Sequence, residues 1–480
     1  MECWESDDPI VPLNPGNAGR GKGVTPTRES SRPSTTLSGG TSVYDRLDRI
    51  TKRAQSDASA SFNNVFTLLT SELLFYAFGR LKRGKAPGID EVTVEDYEQN
   101  LQANLKDLEA RLHRGSYRPQ PSLRREIPKG DGKTRPLGIA CVEDKLVERA
   151  IVMILERIYE EDFSDCSYGY RPGRSCHQAL ADLGQQITCR KVNFVLDADI
   201  KSFFCDVDHR QLIELLGRRI EDPRLLRLIR RFLRAGVMIQ GNRYETTSGV
   251  AQGSVLSPLL ANVYLHYVLD DWFENTVIPR LSGEASLIRF ADDFVCLFEH
   301  YSDARRFEEV LGKRLDRYSL ELAKEKTHLI RFGRFARRDC QRLGEGSPQT
   351  FDFLGFTHYC GRSRAGKFKL KRRTSSKKFG SKVRELKEWF RRELRQRRSV
   401  VWPKLCQKLA GHFQYFHVND NWEMLMKYRE AARRLGLRWL RRRSQTGDVH
   451  SWESYQRYLD HHPLPMPKKL TDLIAMGRGL

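Results

Sequence analysis

The chain has 480 residues, enough for more than one hydrophobic core and so for about two to four domains or subdomains. Hydrophobic residues make up 39% and aromatics 10%, which excludes a wholly disordered chain, and 83 Lys plus Arg against 61 acidic residues favours polyphosphate partners over acidic small molecules or a neutral partner surface. No apolar run reaches the roughly eighteen residues of a membrane span, MECWESDDPIVPLNPG lacks the build of a signal peptide, and the 10 cysteines form no CxxC pair, so a cytoplasmic chain with free thiols is expected. Residues 1–55, centred on SSRPSTTLSGG, show no sustained apolar period and are expected to form a flexible arm. Phe62, Val65, Phe66, Leu69, Leu73, Phe75, Tyr76 and Phe78 predict one helix over 62–81, stopped by GKAPGID. Tyr97, Leu101, Leu105, Leu108 and Leu112 predict a second over 94–112.

REIPKGDGKTRPLGI reads as a basic hairpin turning at Gly130, Asp131 and Gly132. Helices are expected over 143–159 and 177–183, the second after the loop SDCSYGYRPGRS. NFVLDADI alternates as a strand ending in carboxylates and leads to a helix over 209–216. SGVAQGSVLSPLLANVYLHYVLDDWF starts as a glycine-bearing loop and becomes a long helix. SLIRFADDFVCLFE is two apolar strands around a two-aspartate turn, followed by a helix over 304–320. Residues 361–400 hold 17 Lys or Arg against three acidic residues, yet Val383, Leu386, Trp389, Phe390 and Leu394 keep a helical period. Helices at 402–418 and 421–440 complete a basic helical module, and SWESYQRYLDHHPLPMPKKL packs as an appendage.

The alternation of NFVLDADI places Asp197 and Asp199 on one side of a strand, and FADD sets Asp292 and Asp293 in a turn that can aim a carboxylate towards Asp199. Such hard oxygen ligands suit two divalent ions joining a 3′-hydroxyl to an α-phosphate. Either motif alone equally fits aspartates that end a strand or make a turn.

The order of motifs carries more weight than either pair. GKAPGIDEVTV, IPKGDGKTRPLGIACVEDKLVERA, FSDCSYGYRPGRSCHQAL, VLDADIKSFFCDVDH, GVAQGSVLSPLLANVYLH, RFADDFV, LAKEKTHLIRFG and FDFLGF together resemble reverse transcriptases, most closely those encoded by bacterial group II introns. The resemblance covers roughly residues 72–465. It implies an α+β right hand: fingers and palm over 56–360, an all-helical basic thumb or maturase (X) region over 361–450, and an appendage over 451–480. It also implies an RNA-directed DNA polymerase with two Mg2+ ions held by Asp199, Asp292 and Asp293, leaving Asp197 outside the triad.

By the same resemblance, Lys129 and Arg135 match triphosphate-contacting positions, with a solvated hairpin as their bland alternative, and Lys133 in the same turn ranks below them. Phe204 matches the bulky residue beneath the incoming sugar, or packs in the core beside Phe203. Gln252 and Gly253 match the loop approaching the nucleotide, and Lys326 a basic position near the triphosphate or at the surface. Arg171 and Arg174 either bind nucleic-acid backbone or fasten fingers to palm. LAGHFQYFHVNDNW and LRWLRRRSQ resemble the intron-binding part of maturases, so Arg441, Arg442 and Arg443 are candidate RNA contacts. The chain departs from the family at Phe290, where YADD is usual, and at Ala251, where GVPQG is usual.

The implied partners are a group II intron RNA, an RNA template with primer, target DNA and deoxynucleoside triphosphates, without a membrane and with nucleoid association during mobility. No array of paired Cys and His suggests an HNH nuclease after the thumb. Two other readings keep the same palm: a splicing maturase with weak or unused polymerase activity, and a reverse transcriptase recruited to defence or repair.

Overall fold

A computed structural model describes residues 42–128, 134–443, 449, 451–468, 470–473 and 476. Helix Val43–Ser56 occupies the end of the stretch read as a flexible arm. It buries Val43, Leu47 and Ala54 and packs on the long helix Val142–Asp162, so residues 43–56 are part of the folded core. The single helix expected over 62–81 is divided. The Phe62 N–H bonds to the Arg219 carbonyl and Asn64 takes a left-handed φ of 57°, which limits the first part to the 3-10 turn Val65–Leu68. Thr70 then caps helix Ser71–Gly79 by accepting the Leu73 N–H. The second expected helix also divides, into Val94–Glu98, opened by a Thr93–Asp96 capping box, and Leu101–His113. In both cases a local cap outweighs continuity, and in the first Phe75, expected on the apolar face, is exposed while Leu74 and Ala77 are buried.

The fingers hairpin pairs Ser122–Pro128 with Thr134–Ile139 in antiparallel register. A hairpin that the sequence did not announce, Val237–Ile239 with Asn242–Tyr244, extends this into a four-stranded sheet by parallel pairing to Ser122 and Leu123. The palm sheet has the order His328–Arg331, Phe194–Ala198, Asp293–Phe298, Ala285–Phe290, with all neighbours antiparallel. Its two faces enter different cores. Leu196, Phe294, Cys296 and Phe298 join the fingers helices, whereas Val195, Val295, Leu297 and Ile288 join helix Cys176–Cys189 and the C-terminal region.

The thumb boundary expected at 361 falls inside a three-stranded meander, Phe351–Phe353, Phe356–Arg362 and Phe368–Thr374. The region is therefore not helical throughout: helices begin at Ser376–Arg392 and continue with Arg398–Phe416 and Trp422–Arg443. The aromatics Trp389, Phe390, Trp402, Phe413, Phe416 and Trp439 are buried there, while Trp422 is exposed. Helix Trp452–His461 docks on this bundle. The Trp402 indole donates to the His462 carbonyl, and a Cβ at Gly436 would lie 2.7 Å from the Tyr455 hydroxyl. No helix among the described residues is long and apolar enough to cross a membrane, and the described cysteines are free thiols.

Candidate active site

Phe290 and Asp293 pair at the end of the palm hairpin, which leaves Ala291 and Asp292 as its two-residue turn. Ala291 sits at φ 59°, a left-handed conformation disfavoured for a residue with a side chain and retained only when the surroundings hold it. A buried arginine supplies that hold. Arg289 is fully buried and its guanidinium donates to the Ala291 carbonyl (2.8 Å), the Asn262 side-chain oxygen (3.1 Å), the Ser167 hydroxyl (2.7 Å) and the Asp270 carboxylate (2.7 Å). Asp270 is equally buried. It reaches this position because the helix Ser257–Leu265 continues through a π-turn, His266–Asp270, in place of regular α geometry.

The SDCSYGYR loop closes the same network. The Arg289 N–H donates to the Cys166 carbonyl, the Tyr168 N–H to the Arg289 carbonyl, and the Asn262 amide to the Gly169 carbonyl at 2.7 Å. A Cβ at Gly169 would lie 2.3 Å from the Ala291 nitrogen, so this close approach requires glycine. Arg171 is buried, pairs with Glu160, donates to the Ser164 and Ser167 carbonyls, and covers the Phe163 ring, so it fastens this loop. Arg174 pairs with Asp165 over the Tyr168 ring and stays half-exposed.

Asp199 follows strand Phe194–Ala198, in the same sheet as strand Asp293–Phe298. Its carbonyl accepts the Ala323 N–H, and its carboxylate accepts a 3.2 Å bond from the Lys326 ammonium. Burial, then Asp197, Asp292 and Asp199, push the Asp293 carboxyl well above the usual range. Asp197 is pushed up to about 7 by burial, then Asp352 and Asp199. Four carboxylates therefore repel one another here. An oxygen-only, mutually repelling set suits a hard divalent cation. Among the described residues no three such side chains converge closely enough to hold an ion, and Lys326 supplies positive charge at Asp199.

Phe204 is buried in the turn Phe203–Asp206, edge-on to Phe203, and its carbonyl accepts the Val250 N–H. Gln252 accepts the Gly138 N–H through its carbonyl at 2.7 Å. Gly253, at φ 109°, lies so close to the fingers that a Cβ would stand 2.5 Å from the Gly138 oxygen. Strand Thr134–Ile139 thus meets the loop beside Phe204. Lys129 and Lys133 lie outside the described residues, as does the side chain of Arg135. Arg441, Arg442 and Arg443 are exposed at the end of helix Trp422–Arg443. Sequence reasoning missed Arg289, Asp270 and Asn262. The available signal was an arginine inside the apolar strand SLIRF, where a charge without a partner would not be buried.

An antiparallel palm that offers aspartates from the end of a central strand and from the adjoining hairpin turn, with a basic side chain paired to Asp199, defines a nucleic-acid polymerase. Residues 127–358 match the family described as "Reverse transcriptase (RNA-dependent DNA polymerase)". Protein YkfC of Escherichia coli is 34% identical over 276 residues, 51% of this chain and 72% of that protein. The group II intron-encoded protein LtrA of Lactococcus lactis is 36% identical over 222 residues, 46% of this chain but 37% of LtrA. An uncharacterized 91 kDa protein in a cob intron of Schizosaccharomyces pombe is 34% identical over 48% of this chain and 29% of its own length. The chain belongs to the group II intron reverse transcriptase and maturase family.

Proposed function

We propose that this chain copies RNA into DNA from deoxynucleoside triphosphates and binds a group II intron RNA, assisting its splicing and its entry into DNA. The observation that carries the reading is the aspartate turn, held by the Arg289 network beside strand Phe194–Ala198, with Asp199 and Lys326 in contact. Asp199, Asp292 and Asp293, not close enough here to share an ion, would draw together to hold two Mg2+ ions, which when bound supply activation of the primer 3′-hydroxyl and neutralisation of phosphate charge. Lys326 places a further cation beside these carboxylates for the triphosphate. Lys129 and Arg135 would meet the same phosphates from the fingers. Phe204 sets the floor under the sugar, where its ring excludes a 2′-hydroxyl, and Gln252 and Gly253 line the approach. Arg441, Arg442 and Arg443, with Arg174, would attract RNA phosphates, and the target DNA would be engaged in the nucleoid of the cytoplasm.

Primer extension on an annealed RNA template tests the reading. Asp292→Asn should lower extension by roughly 10²–10³-fold or more while preserving RNA binding, because it removes a charged ligand at the reacting phosphate. Robust extension by that variant, or by the wild type without a divalent ion, refutes it.

A further inference from the structure

The loop 249–255 is held from several sides, and one of its anchors is a buried charge. Glu148 lies inside helix Val142–Asp162 with 4% of its surface exposed. One carboxylate oxygen accepts the Ser254 hydroxyl at 2.8 Å and the other accepts the Val255 N–H at 2.8 Å. The Ser254 oxygen in turn accepts the N–H groups of Leu256 (3.1 Å) and Ser257 (3.3 Å), at the start of helix Ser257–Leu265. A hydroxyl has one proton to give. Because that proton goes to Glu148, the oxygen lone pairs face the helix start, and carboxylate, loop and helix become one chain of bonds.

The residues just before Ser254 are fixed with equal closeness. The Gln252 carbonyl takes the Gly138 N–H, a Cβ at Gly253 would lie 2.8 Å from Leu137 Cδ1, and the Val250 N–H reaches the Phe204 carbonyl. Burial pushes the Glu148 carboxyl up to about 7 in spite of its two donors, so keeping it ionised is costly at a place where an apolar side chain would also fill the core. An apolar side chain would leave the Ser254 hydroxyl and the Val255 N–H without their acceptor.

We propose that Glu148 is a positioning residue for the incoming nucleotide: by clamping Ser254 and Val255 it sets how closely Gln252 and Gly253 approach the substrate. The inference rests on the polymerase reading of the Gln252–Gly253 loop. Glu148 itself lies behind that loop and acts through it. The amide of Glu148→Gln keeps the volume but turns one acceptor into a donor, so one of the two loop donors loses its partner.

Single-nucleotide incorporation on a saturating RNA template and DNA primer tests the assignment, with KM for the deoxynucleotide and kcat measured separately. Glu148→Gln and Ser254→Ala should each raise KM by about tenfold, the effect of losing one charge-assisted bond, with kcat and primer-template affinity changed much less. Ser254→Thr, which keeps the hydroxyl, should restore KM, and the Glu148→Gln, Ser254→Ala pair should be no worse than the more affected single variant. Gln252→Ala separates the two levels of the argument. If it leaves KM unchanged, the loop does not meet the nucleotide and the underlying reading falls. If it raises KM while Glu148→Gln and Ser254→Ala keep the wild-type value, the loop reading stands and the clamp is wrong. Should Glu148→Gln fail to fold, Ser254→Ala at the loop decides alone: a wild-type KM overturns the proposal and a raised one supports it.

Discussion

The palm hairpin and the end of the last long thumb helix both invest in arginine, and they use it in opposite ways. Arg289 has no exposed surface and gives its donors to four acceptors on three different segments, so its charge defines a shape. Arg441, Arg442 and Arg443 stand exposed, with Arg443 folded over the Trp439 ring at 4.6 Å, so their charge is presented to solvent and to any polyanion there. The same side chain thus fixes geometry where it is desolvated and paired, and supplies long-range attraction where it is wet.

The largest effect expected from breaking this contrast is at Arg289. Arg289→Met keeps much of the volume but leaves Asp270 as a buried carboxylate without its counter-charge, which should cost about 3–5 kcal/mol. Thermal unfolding measures it. A melting temperature within a degree or two of wild type would show that the pair does not hold the turn. The contrasting neutralisation of exposed Arg442 should leave melting unchanged.

A smaller effect follows from the histidines. His412 in the thumb is stacked on Tyr428 at 3.7 Å, and burial, then Lys382, depress its pKa to about 3. The unfolded chain takes up a proton near the ordinary value of about 6.5 while the folded chain refuses it, so the unfolded state binds more protons between those values. Stability is therefore lost as pH falls through that window. His412→Phe should reduce the drop in melting temperature between pH 7.5 and pH 5, about the limits of the useful range. An unaltered drop would mean that this ring does not carry the acid sensitivity.

Sugar discrimination should change less again. Phe204→Val shortens a buried side chain next to Phe203 and the Val250 backbone, opening volume where the 2′-hydroxyl would sit. Competing ribo- and deoxyribonucleotide incorporation should shift towards the ribonucleotide, while extension with deoxynucleotides persists. Unchanged discrimination with retained extension would return Phe204 to a purely packing role.

The legibility of these features in the sequence followed their range. Helix 209–216 and the strands around FADD were readable because period, cap and turn agree locally; helix His209–Leu216 has its Asp208 cap and the hairpin its two-residue turn. The division of the first expected helix was only half readable, because the Thr70 cap is local but the pairing of Phe62 with Arg219, which limits the stretch before it, reaches across the chain. The carboxylates could be found from their pattern, whereas Arg289, Asp270 and Asn262 are brought together only by a π-turn and a distant loop. Nothing near Glu148 in sequence shows that both of its oxygens are occupied by residues 254 and 255.

The smallest expected effect belongs to the exposed side of the contrast. Arg441, Arg442 and Arg443 close a helix whose buried face is formed by Leu425, Tyr428, Ala432, Leu437 and Trp439, so their replacement by Gln keeps that face and gives up only the cover of Arg443 over the Trp439 ring. Each phosphate that an arginine no longer neutralises keeps its counterion, and the triple variant should therefore flatten the dependence of log affinity on log salt by up to about three units. Because charge attracts any phosphate backbone, the weakening should be similar for cognate and unrelated structured RNA, with preference carried by shape and exposed bases elsewhere. Extension on a short saturating primer-template should fall less than splicing assistance at limiting protein, since the aspartate turn and its Arg289 support involve other residues altogether. Filter binding across a salt series reads the slope, and circular dichroism confirms the helix. If affinity and slope both stay at wild-type values, these arginines are a solvated helix face, and the attraction for RNA has to be sought among the basic residues of 361–400.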